Sequence, residues 1–280
     1  MPADSVADLR QKICELPAMP SVAAAAARLA VEAKPDLLKL VRCIECDPGL
    51  TANLLRIVNT GYASERPVRT VREAAMKLGA QKIQNIAVGV CISPLTHREV
   101  KGYDTTTGTL FTHSLAVAAA TEELARALGR EAPGYAFTAA LLHDLGKVAL
   151  AACAPVEAKV ISAYALRHSV SFTRAEHSVL GLDHAEAGAV LLEAWHMPPQ
   201  VVEVTRWHHE PSLCTTANAV VPLVYYANHF CALHGLGGDT GRAFLFEPDS
   251  AVSLPLTPAQ RKAVAERVAK RLDEWRKVTA

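Results

Sequence analysis

The run LLHDLGK at residues 141–147 holds the side chains with the clearest chemical potential in this chain. His143 and Asp144 are adjacent and together offer a metal ion an imidazole nitrogen and a carboxylate oxygen, donors that suit Zn, Mn or Fe. Lys147 follows shortly afterwards, where its ammonium group can meet a phosphate. Two adjacent ligands do not complete a metal site, so further ligands must come from elsewhere in the chain.

The chain has eleven histidines, and several of them lie at predicted helix ends. His184 opens a helix after Asp183, and a histidine pair closes another helix before Pro211. Ligands from several helix ends can converge in a bundle although they are far apart in sequence. A lone histidine is more often a surface or core residue, the role we assign to His97, His168, His196, His229 and His234, with His177 left open. The predicted metal ligands are His113, His143, Asp144, His184, His208 and His209.

Composition and patterning predict an all-α fold. Half of the 280 residues are apolar, only 5% are aromatic, and alanine supplies much of the apolar content. Closely packed helices suit such a composition better than sheets do. No alternating apolar run of useful length occurs, whereas apolar residues recur at helical spacing. We therefore expect a multi-helix bundle in which an N-terminal helical subdomain packs against a second one that carries the histidines.

Turn-forming residues indicate where the parts of the chain meet. The stretch 101–108 is polar and rich in Thr and Gly, so it is the best candidate for a boundary. The last part of the chain, 236–280, is predicted to be an extended loop followed by an amphipathic helix. Thr257 and Gln260 have the spacing of a capping box at the start of this helix. The predicted parts are 1–105, 106–235 and 236–280. Helices are expected over 71–78, 110–128, 135–152, 156–168, 171–180, 184–196, 199–208 and 217–234, with loops over 59–67 and 235–255.

Charge and cysteine content argue against several classes of protein. The formal net charge of +1 gives no strong attraction to nucleic acid or to anionic membranes. The seven cysteines are scattered and odd in number, which favours a reducing cytoplasm over an extracellular disulfide framework. No apolar run approaches the ~20 residues of a membrane span. We expect a cytoplasmic protein that binds neither DNA nor membranes.

Two further patterns each allow two interpretations. Cys43 and Cys46 form a lone C-x-x-C, which is a weak zinc signal and more often a pair of buried thiols. A basic stretch either binds phosphate, nucleotide or nucleic acid, or is a solvated helix face balanced by Glu65 and Glu73. The second interpretation is favoured, because no aromatic residues interleave to stack bases. The basic residues are Arg66, Arg69, Arg72, Lys77 and Lys82.

An ordered series of motifs resembles the HD superfamily of metal-dependent phosphohydrolases and, within it, the HDOD family of bacterial signalling domains. The first part of the series is LPAMP at 16–20, DPGLT at 47–51, LRIVN at 55–59 and VREA at 71–74. The second part is HSLAVA at 113–118, LLHDLGK at 141–147, and then Glu176, Gly181, Asp183, His184, Gly188, Trp195, Pro198, His208 and His209. The resemblance covers most of the chain and implies that the second subdomain is HD-like.

The resemblance implies roles for the candidate residues. The six predicted ligands match ligand positions of HD-type hydrolases, especially of the HD-GYP branch, with one or two divalent ions (Fe, Mn or Zn). Asp144 would be the carboxylate shared between metals, and Lys147 would meet substrate phosphate. Asn228, after Ala227, stands where the family has its last metal carboxylate. EPSLC at 210–214 lacks the DGxGYP run of cyclic-di-GMP phosphodiesterases, so that activity is not expected.

Three functions remain open on the sequence. The first is an HDOD-type regulatory module that acts through signalling protein partners and retains a metal site. The second is a metal-dependent phosphohydrolase acting on a nucleotide or phosphodiester, in which Asp144 and Lys147 would be catalytic. The third is a sensor that holds a nucleotide or phosphate ligand without cleaving it. Metal content and turnover distinguish the first two.

Overall fold

The computed structural model describes residues 6–32, 36–61, 67–100, 103, 106–154, 158–238 and 255–279. Within these ranges the chain forms helices and no β-strand, which confirms the all-α prediction. Arg66 and most of the predicted 235–255 loop lie outside the described residues. The helices of the first part are α1 (Val6–Cys14), α2 (Ser21–Ala30), α3 (Leu37–Glu45), α4 (Pro48–Gly61), α5 (Val71–Leu78) and α6 (Ala80–Thr96).

Local side-chain hydrogen bonds fix the ends of the first helices. Asp36 accepts from the backbone N–H groups of Leu38 and Lys39 and so caps α3. The predicted 59–67 loop begins three residues late, since α4 continues to Gly61. Asn59 explains the difference, because its side chain pairs with the backbone N–H and C=O of Val68 from inside the helix. The same residue therefore belongs to the last turn of α4 and holds the returning chain at Val68.

The second part of the chain supplies the helices that surround the predicted ligands. They are α7 (Thr109–Ala127), α8 (Ala136–Leu142), α9 (Leu145–Cys153), α10 (Ala158–His168), α11 (Phe172–Leu180), α12 (His184–Ala194), α13 (Pro199–Trp207) and α14 (Val220–Leu233), with a short 3₁₀ turn at Pro211–Leu213 between the last two. The predicted single helix over 135–152 is wrong in one respect. It breaks at His143 and Asp144, where Asp144 has φ −97° and ψ 8° and α9 begins anew.

The last helix, α15 (Pro258–Thr279), lies across both parts of the fold. Its start confirms the capping box. Thr257 Oγ1 accepts from the Gln260 backbone N–H, and Gln260 Oε1 accepts from the Thr257 backbone N–H. Trp275 packs directly on Gly89 of α6 and edge-on against Phe111 of α7. One large apolar core includes buried residues of every helix except α10 and α11, whose Ile161, Ala165, Phe172 and Ala175 form a second, small apolar cluster. The division into 1–105, 106–235 and 236–280 stays a prediction.

One apolar stretch, Ala136–Cys153, has the length and composition to cross a membrane. It comprises α8 and α9, and 78% of it is buried inside the fold. Its apolar side chains are therefore already covered by protein, as in the core helices of globular proteins. The break at Asp144 also places a charged carboxylate in its middle.

Two glycines allow α9 and α12 to cross at backbone contact. A Cβ at Gly146 would collide with the backbone carbonyl of His184, and one at Gly188 would lie 2.8 Å from Thr205 Cγ2 and 3.0 Å from the Gly146 nitrogen. Gly146 stands between Asp144 and Lys147 in sequence, so the crossing brings the start of α12 beside the doublet. Close approach of the two helices is thus a condition for assembling the site.

We predict that Gly146→Ala lowers the free energy of unfolding by about 1–3 kcal/mol, because the added methyl group pushes α12 away. Gly49→Ala is the matched control, since its Cβ meets only Asp47 Oδ1 at 3.4 Å. The control should be neutral or stabilising by up to about 1 kcal/mol. Urea denaturation of both variants measures the difference. Equal stability of Gly146→Ala and wild type would contradict the close crossing.

Candidate metal centre

The break between α8 and α9 lets two adjacent side chains face one point. In a continuous helix, neighbouring residues project in different directions. At the break, His143 Nε2 comes within 3.5 Å of Asp144 Oδ2 instead. Both residues are buried, and the doublet forms the floor of a cluster to which other helices contribute.

Asp144 is the centre of this cluster. On one side of the carboxylate, His113 Nε2 from α7 lies 3.5 Å from Oδ2. On the other side, His184 Nε2 from the start of α12 lies 3.3 Å from Oδ1, and His208 Nε2 from the end of α13 lies 3.7 Å from it. His209 Nε2 lies 3.0 Å from that of His184. The structure therefore brings together all six predicted ligands.

The donors fall into two groups that share Asp144. One ligand atom from each of Asp144, His184, His208 and His209 lies within 4.8 Å of every other in the first group. The second group meets the same condition with His113, His143 and Asp144. Shared carboxylates commonly join two ions in this way. The two groups differ in size, since the first has four donors and the second has three.

Hydrogen bonds on the far side of the rings orient the imidazoles. Nδ1–H of His143 donates to the Ala140 carbonyl, and Nδ1–H of His208 donates to the Thr205 carbonyl, each at 2.7 Å. A carbonyl can only accept, so the protons are on Nδ1 and the lone pairs of Nε2 face Asp144. This outer support is typical of metal-binding histidines. Both Nε2 atoms are buried and have no hydrogen-bond partner, which fits a site that holds a cation.

Burial keeps most of these rings in the neutral form that binds metals. It lowers the pKa of His113 to about 3 and that of His143 to about 4, although the Asp144 carboxylate opposes the shift. The pKa of His208 is also lowered by burial and by the neighbouring His209. His184 differs, because burial, which lowers its pKa, is outweighed by the charge and hydrogen bond of Glu176 together with a hydrogen bond to Asp144, and the pKa rises to about 9. Three rings are thus ready to ligate at neutral pH.

An ion pair compensates the charge of Asp144. Burial alone would raise the pKa of the carboxyl group, but the Lys147 ammonium holds it well below its usual range. Lys147 Nζ lies 2.6 Å from Oδ2, and both side chains are buried. The predicted phosphate-binding residue therefore contacts the central carboxylate in this structure.

Asn228 of α14 occupies the edge of the second group. Its side chain is buried beside His113, where it slightly opposes the lowering of the His113 pKa by burial. The Oδ1 atom has no hydrogen-bond partner. A neutral amide oxygen is a weaker ligand for a divalent ion than a carboxylate. The second group is therefore poorer in both charge and number of donors.

The cluster meets the surface at His209. This residue is half-buried and borders a cavity of about 460 Å³ whose wall includes Arg174, His177, Arg206 and Trp207. His177, left open by the sequence, belongs to this wall and not to the cluster. The other ligand residues are buried.

Two residues of the surrounding shell were not predicted from the sequence. Glu176 was recognised only as part of the motif series, and it accepts from His184 Nδ1 at 2.5 Å. Tyr103 had no signal within the polar 101–108 stretch, and its hydroxyl donates to Glu176 at 2.5 Å. Burial and the adjacent Glu176 raise the pKa of Tyr103 well above its ordinary value, so the hydroxyl keeps its proton.

The fold and the cluster define a class of protein: a helical bundle with a buried histidine–aspartate centre. The sequence profile of the HDOD domain matches residues 16–211, and the chain belongs to this family. An uncharacterized protein of Treponema pallidum (strain Nichols) is 24% identical over 241 residues. The alignment covers 85% of this chain and 45% of the relative, so the chain spans less than half of that protein.

Solved structures of low sequence identity share the fold. An HDOD domain protein of unknown function from Geobacter sulfurreducens has a TM-score of 0.72 at 24% identity. The alignment covers 93% of this chain and 87% of the Geobacter chain. A Shewanella amazonensis SB2B protein, described provisionally as a phosphohydrolase, has a TM-score of 0.71 at 23% identity, with coverage of 97% and 98%. At such identities the similarity shows the fold alone.

We predict that Lys147→Met destabilises the metal-free protein by about 3–5 kcal/mol, because it leaves the buried Asp144 carboxylate without its cation. Lys39→Met is the control, since its ammonium lies 4.0 Å from Glu32 in an exposed pair. Such exposed pairs contribute about 0–1 kcal/mol. Urea denaturation in the presence of a chelator measures both. Losses of similar size would contradict the role of Lys147 as the compensating charge.

Proposed function

We propose that this chain is a cytoplasmic HDOD regulatory module that holds one divalent metal ion and acts by binding signalling protein partners, not DNA or membranes. The ion would be held by Asp144, His184, His208 and His209. The observation that carries the metal assignment is the buried, unpartnered Nε2 of His208, which lies with three other donors within 4.8 Å of one another. Imidazoles with one carboxylate suit Zn, Fe or Mn.

The choice of one ion follows from the donors of the two groups. A divalent ion needs anionic partners when it is removed from water. The only carboxylate within either donor group, among the described residues, is Asp144, which both groups share. Asn228 supplies no charge where the second group would need it. The four-donor group is therefore the stronger site.

The regulatory assignment is supported by the family and by the burial of the cluster. Only His209 of the six candidate ligands is more than slightly exposed, so a substrate would have limited access to the other donors. A structurally similar protein of Marinobacter aquaeolei VT8 is described provisionally as a signal transduction protein. A metal ion in this position would fix the relative placement of α9, α12 and α13, and so the surface that these helices present.

Metal analysis of protein purified without chelators tests this proposal. We expect about one equivalent of Fe, Mn or Zn in wild type, and its loss in His208→Ala. His143→Ala should keep most of the metal, because His143 belongs to the second group. His168→Ala is a surface control. Wild-type protein that stays metal-free after loading with Mn, Fe and Zn would overturn the proposal.

The second candidate function is a metal-dependent phosphohydrolase. It is favoured by the cavity of about 460 Å³ that reaches the cluster at His209. A bound divalent ion supplies Lewis-acid activation of a phosphoryl group and of the attacking water. Lys147 would contact the phosphate after leaving Asp144, and His209 would meet the substrate at the cavity. The cyclic-di-GMP phosphodiesterase run is missing after His209.

We predict that Asn228→Asp raises the metal content from about one equivalent toward two, because a carboxylate beside His113 completes the second group. Asn218→Asp is the control, since Asn218 binds Tyr135, Gln200 and Glu203 away from the cluster. The readouts are metal content and hydrolysis of bis(p-nitrophenyl) phosphate. Turnover by wild type that is lost with the metal would favour the enzyme. An unchanged metal content in Asn228→Asp would contradict the one-ion argument.

A further inference from the structure

We propose that Glu176 and Tyr103 are positioning residues that select Nε2 of His184 as the metal-facing nitrogen and connect Tyr103, near the predicted boundary of the two subdomains, to the metal site. This inference rests on the proposed metal-binding function and extends it. It assigns roles to two residues that lie outside the ligand set. It also connects the site with the part of the chain around residue 103.

The first hydrogen-bonded connection is between His184 and Glu176. Glu176 lies on α11 and is fully buried. One of its oxygens accepts both from the Nδ1–H of His184 at 2.5 Å and from the His184 backbone N–H at 3.2 Å. The two bonds hold the ring and its backbone together. They leave Nε2 directed at Asp144 Oδ1, 3.3 Å away.

The second link is between Glu176 and Tyr103. The Tyr103 hydroxyl donates to the other oxygen of Glu176 at 2.5 Å. With both oxygens engaged, the carboxylate cannot rotate without breaking a bond at each end. A carboxylate held in this way orients a ligating histidine and increases its basicity, an arrangement whose loss typically weakens metal binding 10–100-fold.

The ring of Tyr103 also covers the site. It meets the His184 ring edge-on, with centroids 6.4 Å apart, and the Phe172 ring at 6.0 Å. Lys147 Nζ lies 6.0 Å from its centroid, so the same ring faces the cation that compensates Asp144. The Tyr103 backbone N–H donates to the Val100 carbonyl at 3.1 Å, close to the end of the first predicted subdomain. A displacement of Tyr103 would therefore affect His184 through the Tyr103–Glu176 hydrogen bond and the Glu176 carboxylate.

The coupling must act in both directions. If the Tyr103 hydroxyl strengthens metal binding, then metal binding strengthens the hold on Tyr103 by the same factor. Occupancy of the site would then stabilise the position of Tyr103. This gives the proposed regulatory module a physical path from the metal to the rest of the fold.

The test compares Glu176→Gln and Tyr103→Phe with wild type. Tyr164→Phe is the matched control. Tyr164, like Tyr103, packs against the small apolar cluster of α10 and α11, but its ring stacks on His168, away from Glu176. The measurements are the Kd for Co²⁺, the visible spectrum of bound Co²⁺, and the melting temperature of metal-free protein. We expect Kd to rise about 10–100-fold in Glu176→Gln and about 3–10-fold in Tyr103→Phe, both with altered spectra. Tyr164→Phe should leave Kd and spectrum unchanged.

Hydrogen exchange at the Tyr103 amide provides the second measurement. Loading with Co²⁺ should slow this exchange in wild type and Tyr164→Phe, and less in Tyr103→Phe. Unchanged Kd and spectrum in Tyr103→Phe and Glu176→Gln, with or without a lower melting temperature, would overturn this inference and leave the proposed function standing. Absence of Co²⁺ binding by wild type would overturn both. Should Glu176→Gln not fold, Tyr103→Phe, which keeps the ring, decides the outcome.

Discussion

The structure depends on one constraint: an ionised carboxylate, Asp144, lies in the interior and must be compensated. Removing such a charge from water costs several kcal/mol unless cations and hydrogen-bond donors replace the solvent. Lys147 supplies the cation at 2.6 Å, and four imidazole Nε2 atoms lie within 3.7 Å of one or other oxygen. These rings are mostly neutral, so they compensate the charge only weakly. The Nε2 lone pairs of His143 and His208 face inward, an arrangement that suits a metal ion better than it suits the ion pair alone.

This constraint explains why small residues matter as much as the ligands. His184 reaches Asp144 only because α9 and α12 cross at the glycine pair Gly146 and Gly188. The alanine-rich faces of α7 and α8 allow similar close packing around the doublet. Glu176 then holds His184 from behind, and the backbone carbonyls of Ala140 and Thr205 hold two other rings. The positions of the donors thus follow from helix packing and from the outer hydrogen bonds together.

Residue types and order along the chain were enough to predict the helical fold and the convergence of the six ligands. Helical periodicity does not show where a helix breaks, and the 135–152 pattern continues through the doublet although the structure breaks there. The break coincides with the contacts of Asp144 with His113, His184 and His208, which come from other helices. The pairing of Lys147 with Asp144 was also outside the sequence argument, which assigned the lysine to phosphate. Tyr103 could not be found, because its role depends on a hydroxyl meeting a carboxylate 73 residues away.

Asn228 bears on whether the cluster can bind one metal ion or two. Packing alone does not explain these histidines, since buried ring nitrogens without a partner, such as Nε2 of His143 and of His208, are less stable than apolar atoms in the same place. Nitrogens in this state suit a bound cation, as the proposed function requires. Yet an amide beside His113 leaves a second ion without its own carboxylate, and it leaves a site with one ion positively charged. Such a site can attract an anion to the open side at His209, but it lacks the paired ions with which two-metal hydrolases stabilise both the attacking and the leaving oxygen. If the chain holds one ion as proposed, an amide at this position disfavours two-metal hydrolysis more than it disfavours metal binding.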